Sequence, residues 1–328
     1  SLAPPAVSMR TRLTDGLEIE HPVMLAGRGG VSYHELVAAV SEAGGYGCMG
    51  AATLPLEQMV EEIEATRRLT SKPFGVDLLT AMPGSMVPQV EKIIAGGATA
   101  FVAGLGVPRE IIELCHAHNL LVVNMCGKVL HAVQAVEAGC DIVVAQGTEA
   151  GGHTGTVATM PLVPQIVDAV GDRVPVVAAG GIFDGRGLAA ALALGADGVW
   201  LGTRFIATPE AHTVKGYKER LVAAREDETV ITRAFTGKTL RAARNEYTDF
   251  WEKNPDELQP FPMQVMRSMQ DQAMHLGGDE SFEIDPSKEC YPAGQGVGGI
   301  TDLVPAGELV HRIVAEADAV LGKLPSYR

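Results

Sequence analysis

A histidine set among glycines is the residue of this chain best placed to do chemistry. The stretch DIVVAQGTEAGGHTGT (141–156) starts as an apolar, strand-like run through Ile142, Val143 and Val144. It then opens into a loop holding Gly147, Gly151, Gly152, Gly155, one acid, Glu149, and His153. An imidazole titrates near pH ~6.5 and so exchanges a proton under neutral conditions. Glycines carry no Cβ, and their backbone can lie close against a flat or phosphorylated ligand. A lone loop histidine is more often a solvated surface residue. The glycine setting and a second motif favour the functional reading.

That second motif is split in two. VVAAGG (176–181) and WLGTR (200–204) each end a strand-like run in glycine. In α/β barrels the loops after the last two strands hold phosphate against backbone N–H groups and a helix N-terminus. Gly180, Gly181 and Gly202 are the expected N–H donors and Thr203 the hydroxyl donor. A rival pattern, GYGCMG (45–50), has GxGxxG spacing. It follows a helical segment and lies within a strand, whereas the dinucleotide fingerprint follows a strand and opens a helix. No nucleotide site is read there. Cys115-His116-Ala117-His118 sits near a helix end without a second cysteine close by, and no metal site is read there either.

The elements that must position these groups alternate along the chain. Apolar strand-like runs cover 22–26, 46–49, 74–78, 100–103, 120–124, 141–146, 174–179 and 198–202. Helical spacing covers 34–42, 56–69, 86–95, 109–118, 129–137, 161–170 and 187–194. Eight strands with intervening helices predict a (β/α)₈ barrel, in preference to an open doubly wound sheet. Glycines at 44, 96, 139 and 195 close several of these helices, as C-caps do before a strand. From about Pro209 the texture becomes charged and helical with little strand signal, and a helical insertion over the barrel mouth is expected. Its aromatic cluster, Tyr247, Phe250 and Trp251, is read as core. The chain returns through YPAGQGVGG (291–299) to a last helix over 306–321. The expected division is a tail or appended segment at 1–9, the barrel at 10–208, the insertion at 209–292, and the return loop with the final helix at 293–328.

Composition bounds the partners. The formal charge of −14, from 26 basic and 40 acidic residues, excludes a basic nucleic-acid-binding surface as the main function. No apolar run approaches the ~20 residues of a membrane-spanning helix. The N-terminal SLAPPAVS lacks the charged and apolar regions of a secretory signal. Five cysteines, an odd number with no Cys-x-x-Cys pair, fit the reduced thiols of a cytoplasmic protein.

Together GTEAGGHTG, AAGGIFDGRGLAAALALGADGVWLGTRF, PFGVDL and HPVMLAG resemble the nitronate monooxygenase family, formerly called 2-nitropropane dioxygenases. The resemblance runs from about Arg10 to the final helix. It implies a barrel with non-covalent FMN at its C-terminal mouth and His153 in the position of the family's catalytic base. On that reading Gly180, Gly181, Gly202 and Thr203 hold the phosphate, and Met24, Ala26, Asp77, Gln146, Gly151 and Gly152 line the flavin. The implied reaction is oxidation of a nitronate or nitroalkane by dioxygen. The alternative is an NAD(P)H-dependent reductase of a quinone or an enoyl or acyl thioester. The chain departs from its relatives at Leu25-Ala26-Gly27-Arg28, at Asp77 where asparagine is usual, and at Asn124-Met125-Cys126-Gly127. Arg28 is read equally as a cation beside the flavin or as a solvated loop residue.

Overall fold

Short runs of β-branched and small apolar residues close into a parallel barrel. The computed structural model describes residues 8–78, 86–104 and 106–327. The barrel strands are β1 (Val23–Leu25), β2 (Gly47–Gly50), β3 (Phe74–Leu78), β4 (Ala100–Ala103), β5 (Leu121–Cys126) and β6 (Ile142–Gln146). A two-residue strand, β7 (Gly152–His153), stands apart before β8 (Val176–Ala179) and β9 (Gly198–Leu201) complete the set. Their lateral order is β1-β9-β8-β6-β5-β4-β3-β2, all parallel. The seam between β1 and β2 is closed by two backbone bonds of 2.9 Å, Leu25 N–H to the Tyr46 carbonyl and Tyr46 N–H to the Val23 carbonyl. The expected (β/α)₈ barrel is therefore present.

Side chains alternate across each strand with a period of two. Met24, Tyr46, Val102, Val123, Val144, Val177 and Trp200 point inward and fill the barrel. Val23, Leu25, Phe101, Val122, Val143 and Val176 point outward against helices. The outer ring consists of α2 (His34–Glu42), α3 (Leu56–Leu69), α4 (Val87–Ala95), α5 (Arg109–Ala117), α6 (Val129–Glu137), α7 (Thr159–Val170), α8 (Gly185–Ala193) and the last helix over 306–323, which packs between α8 and α2. The glycines at 44, 97, 139 and 195 after these helices have positive φ, the left-handed geometry of a helix C-terminus.

A short leading helix, α1 (Arg12–Leu17), seals the N-terminal end of the barrel. Thr11 and Thr14 form its capping box, and Leu13 and Leu17 join the interior cluster. Burying each leucine contributes roughly 1.5–3 kcal/mol. Six residues are too few for a periodic signal, and the sequence did not reveal this helix. The expected N-terminal tail falls mostly at residues 1–7, outside the described residues.

After β9 come α9 (Thr203–Ile206), α10 (Tyr217–Ala223), α11 (Glu246–Lys253) and α12 (Met263–Gln270), then the final helix α13 (Ala306–Lys323). The stretch expected to be helical also carries a hairpin of β10 (Thr229–Thr232) and β11 (Leu240–Ala243), and β11 pairs antiparallel with β7. Tyr247 and Trp251 are buried in a separate cluster with Phe235 and Leu240, as expected. Phe250 departs from the core reading: it lies 48% exposed at the surface. Among the described residues no helix is long and apolar enough to cross a membrane. All five cysteines are free, and burial pushes every thiol up, Cys126 and Cys140 to about 12.

Candidate active site

A cavity of about 890 Å³ opens at the C-terminal ends of the strands, large enough for a flat cofactor and part of a substrate. It gathers Ala26, Asp77, Gln146, Gly151, Gly152, His153, Gly180, Gly181, Gly202 and Thr203. Met24 is the correction among the expected residues. Its side chain is fully buried beside Trp200 in the barrel interior and does not reach the cavity.

The two sides of the cavity are built differently. On one side, β8 ends in Gly180 and Gly181 at φ +104 and +75, a backbone path that turns the chain across the barrel top. A Cβ at Gly181 would run into the Glu149 carboxylate, which is already fixed by accepting the Thr159 N–H at 2.8 Å. Gly202 differs: a Cβ there would meet only Ala26 Cβ, at 3.5 Å, and so would project into cavity space. Thr203 Oγ1 accepts the Gly294 N–H at 2.9 Å, which leaves its own proton free to donate. Small residues at a strand–helix joint, with free N–H groups and a hydroxyl, suit a phosphate.

On the other side, His153 is held by the β10–β11 hairpin. β7 takes a register in which His153 faces Leu240 and Gly152 faces Arg241. Arg241, 5% exposed, donates to the Thr148 carbonyl through Nε (3.1 Å) and Nη2 (3.0 Å) and to Thr229 Oγ1 through Nη1 (3.2 Å). The histidine loop is thus clamped from above. Gln146 Nε2 donates to the His153 carbonyl at 3.0 Å, so part of the amide expected to face a ligand instead steadies the loop.

The imidazole has one named partner: Nε2 lies 3.0 Å from Thr236 Oγ1. Thr236 can donate its single hydroxyl proton to the Lys238 carbonyl, 3.2 Å away. Oγ1 then accepts from Nε2–H, and Nδ1 keeps its lone pair. His153 presents surface to the cavity, yet its pKa is lowered, first by burial of the ring and then by the positive charges of Lys238 and Arg28. That favours the neutral ring at pH 7. Arg28, left open by the sequence, is therefore a cation of the cavity wall. Asp77 is recessed, and burial holds its carboxyl well above the usual carboxylate range. That favours the neutral acid, which donates a hydrogen bond where an ionised aspartate would only accept.

Thr236, Lys238 and Arg241 escaped the sequence reading because they lie more than 80 residues beyond His153. A signal existed in Thr236-Gly237-Lys238, a glycine turn between two short apolar or β-branched runs, which is a hairpin pattern. The Cys115-His116-Ala117-His118 side chains diverge: Cys115 is buried in the core, and His116 Nε2 meets Asp141 at 2.8 Å.

The sequence pattern of the nitronate monooxygenase family matches residues 10–93 and 81–316. A Mycobacterium tuberculosis relative named (3aS,4S,5R,7aS)-5-hydroxy-7a-methyl-1-oxo-octahydro-1H-indene-4-carboxyl-CoA dehydrogenase is 39% identical over 242 residues, 74% of this chain and 68% of the relative. FabK from Thermotoga maritima superposes with a TM-score of 0.88 at 33% identity, covering 98% of this chain and 100% of that one. A nitroalkane oxidase from Streptomyces ansochromogenes gives a TM-score of 0.82 at 29% identity over 95% of this chain and 99% of that one.

Proposed function

The chain belongs to the nitronate monooxygenase family of oxidoreductases, and on that premise we propose that it oxidises alkyl nitronates and nitroalkanes with dioxygen, using FMN, to a carbonyl compound and nitrite. The observation that carries this reading is a histidine fixed at Nε2 by Thr236 and facing a glycine-lined cavity, where burial and nearby cations favour its neutral form. The residues fit the cofactor. The N–H groups of Gly180, Gly181 and Gly202 and the Thr203 hydroxyl would hold its phosphate. Ala26, Asp77, Gln146, Gly151 and Gly152 would line its ring, with neutral Asp77 able to donate to a ring heteroatom. When bound, FMN supplies the redox chemistry, and the protein supplies position and proton transfer.

His153 takes the α-proton of a nitroalkane at Nδ1. The lowered pKa keeps the base free at neutral pH, though it also weakens it, and nearby Lys238 and Arg28 favour the anion that deprotonation leaves. Arg241 and Thr236 keep the ring from swinging out. The test is anaerobic mixing of the FMN-loaded protein with propyl-2-nitronate, NADH and NADPH in turn, followed by oxygen uptake. Bleaching by the nitronate, with dioxygen consumed and no nicotinamide needed, is expected. Rapid bleaching by NADH or NADPH and none by the nitronate would replace this reading with the reductase of a quinone or an enoyl or acyl thioester.

A further inference from the structure

Among the described residues, three cations lining the cavity have no ion-pair partner. Arg204, also at the cavity, is ion-paired with Asp302 at 2.6 Å. Arg28, Arg233 and Lys238 have no ion pair among the described residues, and the only carboxylate lining the cavity with them is Asp77, which burial keeps toward its neutral form. In a chain of net charge −14, three such cations at one cavity, Arg28 half-buried and Arg233 and Lys238 exposed, are against the general balance. Each is held by neutral contacts instead. The Arg28 guanidinium lies 5.9 Å from the Tyr217 ring centroid, Lys238 Nζ lies 4.2 Å over Phe261, and Arg233 Nε donates to the Gly237 carbonyl at 2.9 Å. The Arg28 backbone is also fixed: its N–H donates to Ser32 Oγ at 2.7 Å, and Gly50 packs so closely that a Cβ would strike it.

We propose that Arg28, Arg233 and Lys238 form an anion-binding subsite at the cavity mouth, which takes an oxyanion carried by the substrate beyond the carbon that faces His153. Unpaired positive charge in a cleft concentrates and orients anionic ligands. The phosphate of a cofactor is served separately, by neutral donors at the ends of β8 and β9, whereas these cations come from the β10–β11 hairpin and the loop after β1. Phe261, Met274 and Leu276 add apolar surface to the same cavity, suited to the spacer that joins the oxyanion to the reacting carbon. The oxyanion is a carboxylate or a phosphate, and the proposal rests on the reading above only in placing the reacting carbon at His153.

Isothermal titration calorimetry on FMN-loaded His153→Asn protein tests it without turnover. Two probe pairs separate the sources: 4-nitrobutanoate against 1-nitrobutane for a carboxylate, and crotonyl-CoA against crotonyl-pantetheine for phosphates. The charged member of one pair is expected to bind about tenfold tighter, with the preference shrinking as salt is raised. Adding Arg28→Gln and Lys238→Gln should erase the preference while FMN content holds. Equal affinities within both pairs, or a preference that survives the added substitutions, would overturn the subsite. Loss of FMN on adding them would also overturn it, by assigning the cations to the cofactor. Because no nitronate oxidation is read, the subsite can stand with crotonyl-CoA even if the mixing experiment fails.

Discussion

The two walls of the cavity obey different structural logics. The glycine wall, Gly180 and Gly181 after β8 with Gly202 and Thr203 after β9, is made by adjacent barrel strands whose pairing fixes it. The histidine wall depends on a distant hairpin, since His153 reaches its position by pairing with Leu240 and bonding Thr236. The first wall is a property of the barrel, and the second is a property of the docking between the barrel and the β10–β11 hairpin. Ligand holding and proton transfer should therefore be separable by mutation.

The largest effect is expected from His153→Asn. Turnover of neutral nitroalkanes should fall by about 10²–10⁴-fold, the contribution of a positioned general base. Turnover of preformed nitronates should fall much less, and FMN should remain. Equal losses on both substrates would remove the base and leave a charge-stabilising role. The converse change belongs to the other wall. Gly202→Val fills open space without striking backbone, and FMN affinity measured by fluorescence titration should drop roughly 10–100-fold, equivalent to losing one charge-assisted bond. Full FMN occupancy in that variant would displace the phosphate from this joint. Gly181 is a poorer probe, because its substitution breaks the Glu149 packing as well.

Arg241→Met strikes the docking alone. It leaves the Thr148 carbonyl without its two donors, and a loss of about 1–3 kcal/mol of unfolding free energy is expected from urea denaturation, with nitroalkane turnover reduced and FMN binding kept. If FMN leaves at the same dose of urea as activity does, the walls are not independent. The smallest effect is in pH. His153 has a lowered pKa and must be neutral to accept a proton, so nitroalkane turnover should be flat above ~6.5 and fall as pH drops through a value below it. The sign for stability is the same: the unfolded state binds the proton more tightly, so stability is lost as pH falls below ~6.5. Lys238→Gln should move the kinetic inflection upward, and an unmoved profile would detach Lys238 from the ring.

This contrast also explains what could be read from the chain. The strands were legible because each is a short apolar run, most of them closed by a glycine within two residues, and β3 and β4 have the bounds the pattern implied. The glycine wall followed, since its parts sit at strand ends. The hairpin left only a faint trace: Gly237 marks a turn, but Thr229–Thr232 and Leu240–Ala243 are four residues each, with Thr, Arg and Ala interleaved, and such runs carry little periodic signal. Met24 was misplaced for another reason. Its position near the end of a barrel strand is correct, but the strand is three residues long, and its middle residue points into the packed interior below the cavity.

The raised pKa of all five thiols has a chemical consequence. Sulfur attacks as the thiolate, and a pKa of about 12 leaves roughly one part in 10⁵ ionised at pH 7. Four of the five are also shut away from solvent, and Cys290, at the cavity, is pushed higher still by the same desolvation. A catalyst that releases an electrophilic aldehyde or ketone beside dioxygen would poison itself if it kept a soft nucleophile at the doorway. Under the proposed reaction such a product would meet a cavity whose one lining thiol among the described residues, Cys290, is held in its protonated form by desolvation.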